Sequence, residues 1–141
     1  MTQRHMLDII HDQNPVTLTP EKSVKEACEL MRKYRIGAIL VVNNKNHLVG
    51  IFTGRDAVCR VVAEGRDSAN TTLQDVMTGS PVSMGPGKTA NEALHLMQDG
   101  GYRHVPVTAE NRVIGIVSKG DFRGLEQARL DEETELWERI G

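Results

Sequence analysis

The chain has 141 residues, with 17 Lys+Arg against 19 Asp+Glu, a formal net charge of -2 and 39% hydrophobic residues. The near-neutral charge argues against a protein that binds nucleic acid by neutralising many phosphates. No apolar run approaches the ~20 residues needed to span a bilayer. The N-terminus has no apolar stretch before a cleavage site, and the two cysteines have no metal or disulfide spacing. We therefore expect a cytoplasmic protein with no leader peptide, no membrane segment and no disulfide.

The first half of the chain predicts one small α+β unit. Ser23 and Glu26 have the spacing of a capping box, in which a hydroxyl and a carboxylate satisfy the free N–H groups of a helix start. Apolar residues then recur at helical spacing, and Gly37 suits a C-cap near residues 35–37. The predicted elements are a strand at 16–18, a helix beginning at Ser23, strands at 39–42 and 48–52, and a closing helix at 56–63.

The second half predicts the same elements in the same order. Thr89 and Glu92 repeat the capping-box spacing, and Gly100 and Gly101 suit the end of that helix. The predicted elements are a strand at 82–84, a helix beginning at Thr89, strands at 105–107 and 113–117, and a closing helix at 121–129.

The two halves are copies of one β-α-β-β-α sequence unit. A shift of 66 residues aligns residues 15–17 (Pro-Val-Thr) with residues 81–83 (Pro-Val-Ser), and a shift of 65 aligns Asp56 with Asp121. A unit this small closes a core poorly alone, so we expect the copies to pack about a pseudo-two-fold axis with equivalent residues across a cleft. The predicted bounds are 1–66 for the first repeat with its entry segment, 67–126 for the second repeat, and 127–141 for an acidic C-terminal helix.

The repeated motifs resemble those of a tandem pair of cystathionine-β-synthase (CBS) domains, also called a Bateman module. The motifs are the Pro-Val-Thr/Ser entry, a Glu-Ala-x-x-x-Met helix and Gly-Ile-x-Thr/Ser-x-x-Asp, which occurs at residues 50–56 and 115–121. The resemblance covers residues from about 7 to 126 and implies an α+β fold. It also implies a regulatory sensor that binds an adenosine-containing nucleotide between its repeats.

The resemblance identifies Asp56 and Asp121 as ribose acceptors, with Thr53 and Ser118 beside them. A carboxylate can accept hydrogen bonds from both hydroxyls of a ribose, and helix N-termini favour a nearby phosphate. The alternative is that both aspartates only cap helices. The nucleotide-binding residues that the resemblance implies are Thr17, Ile36, Gly37, Ala38, Thr53, Arg55, Asp56, Ser83, Tyr102, Arg103, His104, Ser118, Lys119 and Asp121.

The repeats differ most at Arg103 and His104, where the first copy has Gly37 and Ala38. The guanidinium suits phosphate through its fixed fork of donors, whereas the small residues leave room for an adenine against the backbone. A surface arginine beside a hydrogen-bonded histidine is the open alternative. Arg55 and Lys119 are weaker candidates for a phosphate contact.

Three other features of the chain could suggest catalysis or a metal site, but none has the required residues or spacing. Residues 85–89 (Gly-Pro-Gly-Lys-Thr) suggest a P-loop, but Val82 stands where that motif needs a glycine, and Thr89 is predicted to cap a helix. The five histidines lack the spacing of metal ligands. Cys28 is expected in the core, and Cys59 on the closing helix has no activating neighbour. We expect neither catalytic residues nor a bound metal.

The C-terminal segment combines many acids with one apolar stripe, formed by Leu125, Ala128, Leu136 and Ile140 with Trp137 adjacent. Such a helix normally buries its stripe, either on its own module or on a second chain. Bateman modules commonly pair through their helices, so we expect a homodimer. A solvated acidic tail is the alternative.

These observations favour a CBS pair without a fused catalytic domain, acting on a separate effector protein. AMP is the expected ligand because Arg103 and His104 can hold one phosphate. ADP, ATP, NAD(H) and S-adenosyl compounds remain open, and no catalytic cofactor is expected. The alternative function is a dimeric interaction module that does not sense a nucleotide.

Overall fold

The computed structural model describes residues 4–122, and their contacts divide them into two compact units. The first-repeat unit comprises residues 14–82 and 110–113, and the second-repeat unit comprises residues 4–13, 83–109 and 114–122. The entry segment 4–13 thus packs with the second repeat, although it precedes the first in the chain. The sequence bounds 1–66, 67–126 and 127–141 stay a prediction, and the predicted C-terminal helix lies outside the described residues.

The first repeat contains the predicted order of strand, helix, strand and strand, and the second repeat contains the predicted helix followed by two strands, so the α+β fold class is confirmed. The elements are α1 (Met6–Ile10), β1 (Thr17–Leu18), α2 (Val24–Tyr34), β2 (Ala38–Val42), β3 (Leu48–Thr53), α3 (Gly54–Asp56), a π-helix (Ala57–Val62), α4 (Leu73–Val76), β4 (Thr78–Gly79), α5 (Ala90–Gly100), β5 (His104–Ala109), β6 (Arg112–Ser118) and a 3₁₀ turn (Lys119–Asp121).

The first-repeat unit contains a four-stranded sheet in the order β1-β2-β3-β4. Strand β1 runs parallel to β2, while β2 with β3 and β3 with β4 are antiparallel. Every residue of β2 is buried, as expected for a central strand with both faces covered. Its core contains Val24, Ala27 and Met31 of α2 and Ile39, Val41 and Phe52 of the sheet.

The second-repeat unit has a two-stranded sheet of β5 and β6 and a separate core. That core contains Ala90, Ala93 and Met97 of α5 with Val105, Val107 and Val117 of the strands. Val105, Val107 and Val117 are completely buried. Aliphatic side chains and methionine therefore make up most of both cores, and Phe52 is fully buried in that of the first-repeat unit.

A short helix closes each unit at the same place. In the first-repeat unit the Leu73 N–H donates to the Lys22 carbonyl at 2.9 Å, and in the second-repeat unit the Met6 N–H donates to the Lys88 carbonyl at 2.8 Å. Leu73 and Met6 are both fully buried. Helix α1 therefore has the role in the second-repeat unit that α4 has in the first-repeat unit, because each covers the start of the long helix.

The structure refines the predicted boundaries. Helix α2 ends near residues 35–37 as predicted, but its cap is Arg35, which takes the left-handed conformation at φ 54°, and not Gly37. The predicted strand at 82–84 is reduced to one bridge between Met84 and Val107. The first closing helix begins at Gly54 and becomes a π-helix after Asp56. The second is a 3₁₀ turn as far as Asp121, and its predicted continuation lies outside the described residues.

Candidate functional site

In the first-repeat unit, Thr53 and Asp56 form a reciprocal capping box where β3 ends and α3 begins. The Asp56 N–H donates to Thr53 Oγ1 at 3.1 Å, and the Thr53 N–H donates to Asp56 Oδ2 at 3.0 Å. The predicted hydroxyl and carboxylate are therefore neighbours, as the motif spacing requires. One carboxylate oxygen of Asp56 is used in this cap, so the aspartate has the structural role that we considered as the alternative to ribose binding.

The second carboxylate oxygen of Asp56 faces an arginine. Arg60 Nε lies 3.6 Å from Asp56 Oδ1, and Arg60 Nη1 donates to the carbonyls of Val76 and Met77 at 3.2 and 3.1 Å. The Asp56 side chain is 14% exposed and the Arg60 side chain 50%. The carboxylate is thus held on both sides while part of it remains open to a ligand. Arg60 is not among the site residues predicted from the sequence, although its position four residues after Asp56 is the spacing of a helical ion pair.

The beginning of β2 lies beside the Thr53–Asp56 corner. Ala38 pairs with Thr53 in the sheet, and the Gly54 N–H donates to the Gly37 carbonyl at 3.1 Å. Gly37 is exposed, while Ala38 is buried. The structure therefore places Gly37 and Ala38 beside the motif.

The other predicted residues of this repeat surround the same end of the sheet. Ile36 precedes β2 and packs partly against the core, and Thr17 lies on β1 next to β2, with Leu40 as its Cα partner. Arg55 is exposed in the first turn of α3. We call this group of residues the first half-site; its members are Thr17, Ile36, Gly37, Ala38, Thr53, Arg55 and Asp56.

The second-repeat unit forms the same corner from different residues. The Ser118 N–H donates to Asp121 Oδ2 at 2.7 Å, and Ser118 Oγ lies 3.2 Å from the same oxygen. The Lys119 N–H donates to the Arg103 carbonyl at 3.0 Å, just as Gly54 donates to Gly37. Arg103 and His104 thus occupy the positions that Gly37 and Ala38 occupy in the first repeat. We call this corner the second half-site.

The cationic side chains of the second half-site differ in burial. Arg103 and Lys119 are exposed, whereas His104 is half-buried. Burial lowers the pKa of His104, the Asp121 carboxylate opposes this effect, and Arg103 lowers the pKa further. A neutral imidazole at pH 7 follows, so Arg103 and Lys119 supply the positive charge of this corner.

The other two predicted residues of this repeat, Tyr102 and Ser83, lie before and beside β5. The Tyr102 N–H donates to the Met97 carbonyl at 2.9 Å, and its ring lies against Gly100, where there is no space for a Cβ. Ser83 is exposed, and Thr108 Oγ1 lies 3.4 Å from its Oγ. Ser83 thus flanks β5 as Thr17 flanks β2.

A cavity of about 480 Å³ lies elsewhere in the first-repeat unit, between α2 and the π-helix. Its walls include Val24, Cys28, Val61 and Val62, and none of the predicted nucleotide-binding residues lines it. Cys28, expected in the core, is partly buried and packs against it, and burial raises the pKa of its thiol. The cavity and the first half-site are therefore different features.

Within residues 4–122, no three His, Cys, Asp or Glu side chains are grouped as a metal site would require. In the same part of the chain, no helix is both long and apolar enough to cross a membrane.

Two curated relatives cover most of this chain. The protein MK0525 of Methanopyrus kandleri is 33% identical over 122 residues, which is 84% of this chain and 62% of that protein. The CBS domain-containing protein YhcV of Bacillus subtilis is 36% identical over 106 residues, 75% of this chain and 74% of its own length. The chain thus spans less than two thirds of one of these relatives.

Several solved structures have the same fold. One is a putative signal-transduction protein with CBS domains from Burkholderia ambifaria, which matches with a TM-score of 0.77 and 31% identity. The match covers 83% of this chain and 89% of that one. The CBS domain protein PAE2072 from Pyrobaculum aerophilum, solved with AMP, has a TM-score of 0.80 and 20% identity over 91% and 98% of the two chains. The CBS domain pair of MJ0100, solved with 5-methylthioadenosine and S-adenosyl-L-methionine, has a TM-score of 0.78 and 24% identity over 94% and 99%.

The model of the CBS domain family matches this chain twice, at residues 7–62 and 73–126. The two matches fall on the two sequence repeats. The family that they indicate is not a catalytic one. Because the matches cover most of the chain and the solved CBS structures share its fold, the chain belongs to the CBS-domain family as a tandem pair of such domains.

Proposed function

We propose that this CBS pair is a regulatory module that binds an adenine nucleotide, with AMP as the first candidate. The observation that carries the proposal is the repeated corner in which a strand-end hydroxyl, an aspartate and a helix start converge, at Thr53–Asp56 and at Ser118–Asp121. Each carboxylate has lone pairs beyond those used in its cap, and a ribose offers two adjacent hydroxyl donors. The complexes of PAE2072 with AMP and of MJ0100 with methylthioadenosine and S-adenosylmethionine support the same ligand class.

The second half-site is the proposed phosphate-binding corner. Arg103 and Lys119 are exposed cations there, and the Lys119 N–H is bonded to the Arg103 carbonyl. The first half-site has Gly37 and Ala38 at the matching positions, which suit an adenine approaching the backbone. With a net charge of -2 on the chain, attraction for an anion depends on such a local group of cations.

Regulation follows from linkage, because a ligand shifts an equilibrium only by its difference in affinity for the two arrangements. We propose that nucleotide binding changes the surface that a separate effector protein recognises. The proposed setting is the cytoplasm, with the module acting as a homodimer. ADP, ATP, NAD(H) and S-adenosyl compounds are the competing ligands.

The direct test is titration calorimetry of the full chain with AMP, adenosine, ADP, ATP, NAD, methylthioadenosine and S-adenosylmethionine. AMP is expected to bind more tightly than adenosine. The Arg103→Glu variant is expected to weaken AMP more than adenosine, because it reverses a charge that only the phosphate contacts. Arg112→Glu is the matched control. Arg112 is exposed at the start of β6, and a strand of this length places it about 20 Å from Ser118 at the other end. Absence of binding by every ligand at millimolar concentration would contradict the proposal.

A ligand-independent interaction module is the second candidate, and the capping boxes favour it. Asp56 and Asp121 each accept from the backbone N–H three residues earlier, so each has a structural use without any ligand. This candidate predicts a melting temperature that no adenosine compound changes and a dimer in sedimentation with or without nucleotide. A ligand at 100 times its Kd would instead stabilise the fold by ~2.7 kcal/mol, which a thermal shift detects readily.

A further inference from the structure

Arg60 connects the first half-site to the end of α4. Its Nη1 donates to the carbonyls of Val76 and Met77 at 3.2 and 3.1 Å, and its Nε lies 3.6 Å from Asp56 Oδ1. The two carbonyls stand at a helix C-terminus, where backbone acceptors lack partners within the helix. The guanidinium is therefore anchored through one nitrogen while another faces the carboxylate.

Each oxygen of the Asp56 carboxylate consequently has a neighbour. Oδ2 accepts from the Thr53 N–H at 3.0 Å, and Oδ1 faces the Arg60 guanidinium at 3.6 Å. These neighbours favour one orientation of the carboxylate, and each of its oxygens keeps a lone pair for a further donor. Two fixed acceptors side by side match the two adjacent hydroxyl groups of a ribose.

Asp56 and Arg60 lie on two consecutive helical segments, α3 and the π-helix. The π-helix Ala57–Val62 begins directly after Asp56, and its wide bonding pattern appears in the 2.9 Å bond from the Ala63 N–H to the Val58 carbonyl. Such segments interrupt α-helices as single turns and are frequent at functional sites. Here the segment carries the arginine four residues beyond the aspartate.

The second repeat has a different residue at the matching position. The shift of 65 residues that aligns Asp56 with Asp121 aligns Arg60 with Leu125. An arginine from the entry segment is found near Asp121 instead, since Arg4 Nη2 donates to the Asp121 backbone carbonyl at 3.1 Å. Arg60 is therefore specific to the first repeat.

We propose that Arg60 is a positioning residue for ribose at the first half-site. Its contact with Asp56 orients the carboxylate so that both oxygens receive the 2′ and 3′ hydroxyl groups, and its anchor on Val76 and Met77 holds that orientation. Pre-orientation increases affinity because less side-chain freedom is lost on binding. The inference rests on the proposed nucleotide binding and adds that the first half-site selects ligands with an intact ribose diol through Arg60.

The test uses the full chain with Asp121→Ala, so that binding at the second half-site does not obscure the first. Calorimetry then compares adenosine with 2′,3′-dideoxyadenosine, with Arg60 intact and in Arg60→Gln. With Arg60 intact, adenosine is expected to bind more tightly. Arg60→Gln is expected to weaken adenosine about tenfold, equivalent to ~1.4 kcal/mol, and to leave the dideoxy compound unchanged.

The control is Arg66→Gln, which removes an exposed arginine just beyond the π-helix and is expected to change neither affinity. Arg60→Lys keeps the charge and is expected to recover part of the preference for adenosine. Circular dichroism and the melting temperature establish that each variant folds, and Arg60→Lys replaces Arg60→Gln if the latter does not.

Two outcomes would overturn the role of Arg60. Unchanged affinities for both ligands in the folded variant would show that Arg60 does not act on binding, and an equal loss for both ligands would assign it a purely structural role. Failure of the proposed function is a separate result, because the wild-type chain would then bind neither AMP nor adenosine.

Discussion

The side-chain amide of Gln13 forms two hydrogen bonds with the backbone of Ile116. Gln13 Nε2 donates to the Ile116 carbonyl at 2.8 Å, and the Ile116 N–H donates to Gln13 Oε1 at 2.9 Å. Ile116 lies on β6, so the amide pairs with that strand as a neighbouring strand would. The entry segment is thereby fixed to the second-repeat unit beyond the end of α1.

Replacing Gln13 by alanine is expected to lower the free energy of unfolding by about 1–2 kcal/mol, because two partly buried backbone groups lose their partner. Urea denaturation followed by circular dichroism measures this loss. Asn14→Ala, at the exposed next position, is the matched control and is expected to have little effect. Equal midpoints for the two variants would contradict a stabilising role for Gln13.

Gly115 is expected to tolerate no side chain. A Cβ there would lie 2.7 Å from Ile10 Cβ, and Ile10 belongs to α1 with only 3% of its surface exposed. Gly115→Ala must therefore displace the helix itself, at a cost of about 1–3 kcal/mol in the free energy of unfolding. Thermal denaturation measures the effect, and Gly79→Ala is the control because an added Cβ there meets open space.

Coupling between these two positions provides a sharper check. If the clash causes the loss, Gly115→Ala is expected to cost less in an Ile10→Ala background than in the wild-type chain, since Ile10 Cγ2 and Cδ1, at 2.8 and 2.9 Å from the added Cβ, are then absent and only Ile10 Cβ remains. Strict additivity of the two substitutions would refute the proposed contact.

His104 is expected to make stability depend on pH in mildly acidic solution. Its pKa in the folded protein lies below the ordinary 6.5, chiefly because of burial. Between these two values the unfolded chain binds more protons than the folded one, so stability rises with pH there. The free energy of unfolding is therefore expected to fall as the pH drops from about 6.5 through the lower folded pKa.

Urea denaturation at several pH values between 5 and 7.5 tests this expectation, with His104→Gln as the comparison. The free energy of unfolding of the wild-type chain minus that of His104→Gln is expected to be largest near pH 7.5 and to decrease as the pH falls through 6.5. A difference that grows on acidification would mean that the charged imidazole is stabilised instead. That outcome would reverse the assigned effect of burial.

Thr53→Val is expected to weaken the first half-site corner while preserving its shape. Valine keeps the branched side chain but leaves the Asp56 N–H without the acceptor that now lies at 3.1 Å. We expect a loss of ~1 kcal/mol in the free energy of unfolding, which is typical of a removed helix cap. Thr53→Ser retains the hydroxyl, so its free energy of unfolding in urea is expected to stay close to that of the wild-type chain. If Thr53→Ser loses as much stability as Thr53→Val, the missing cap is not the cause of the loss.

Much of the fold follows from local chemistry that is visible in the sequence. Ser23 and Thr89 cap α2 and α5 through their hydroxyls at 3.1 Å, and Gly101 ends α5 in the left-handed conformation. The internal repeat supplied an independent check, since the same elements were predicted twice. The two corners containing Asp56 and Asp121 were predicted from motif spacing for the same reason.

The remaining features depend on contacts that are distant in the chain. Helices α1 and α4 are only five and four residues long, so they are too short for a helical period, and their stability comes from burial against a repeat core. The π-helix differs from an α-helix in hydrogen bonding and not in composition. Arg35 ends α2 in a conformation that favours glycine, which residue preference alone does not predict.

The position of the entry segment has a consequence for dividing this protein into fragments. A break between residues 66 and 67 would leave α1 on one fragment and the core that it covers on the other, and would separate α4 from the first-repeat core in the same way. Each fragment would lack its own closing helix and carry the helix that the other needs. The two halves are therefore expected to fold by complementation when mixed, and the sequence repeat, although it is the unit of duplication, is not the unit of folding.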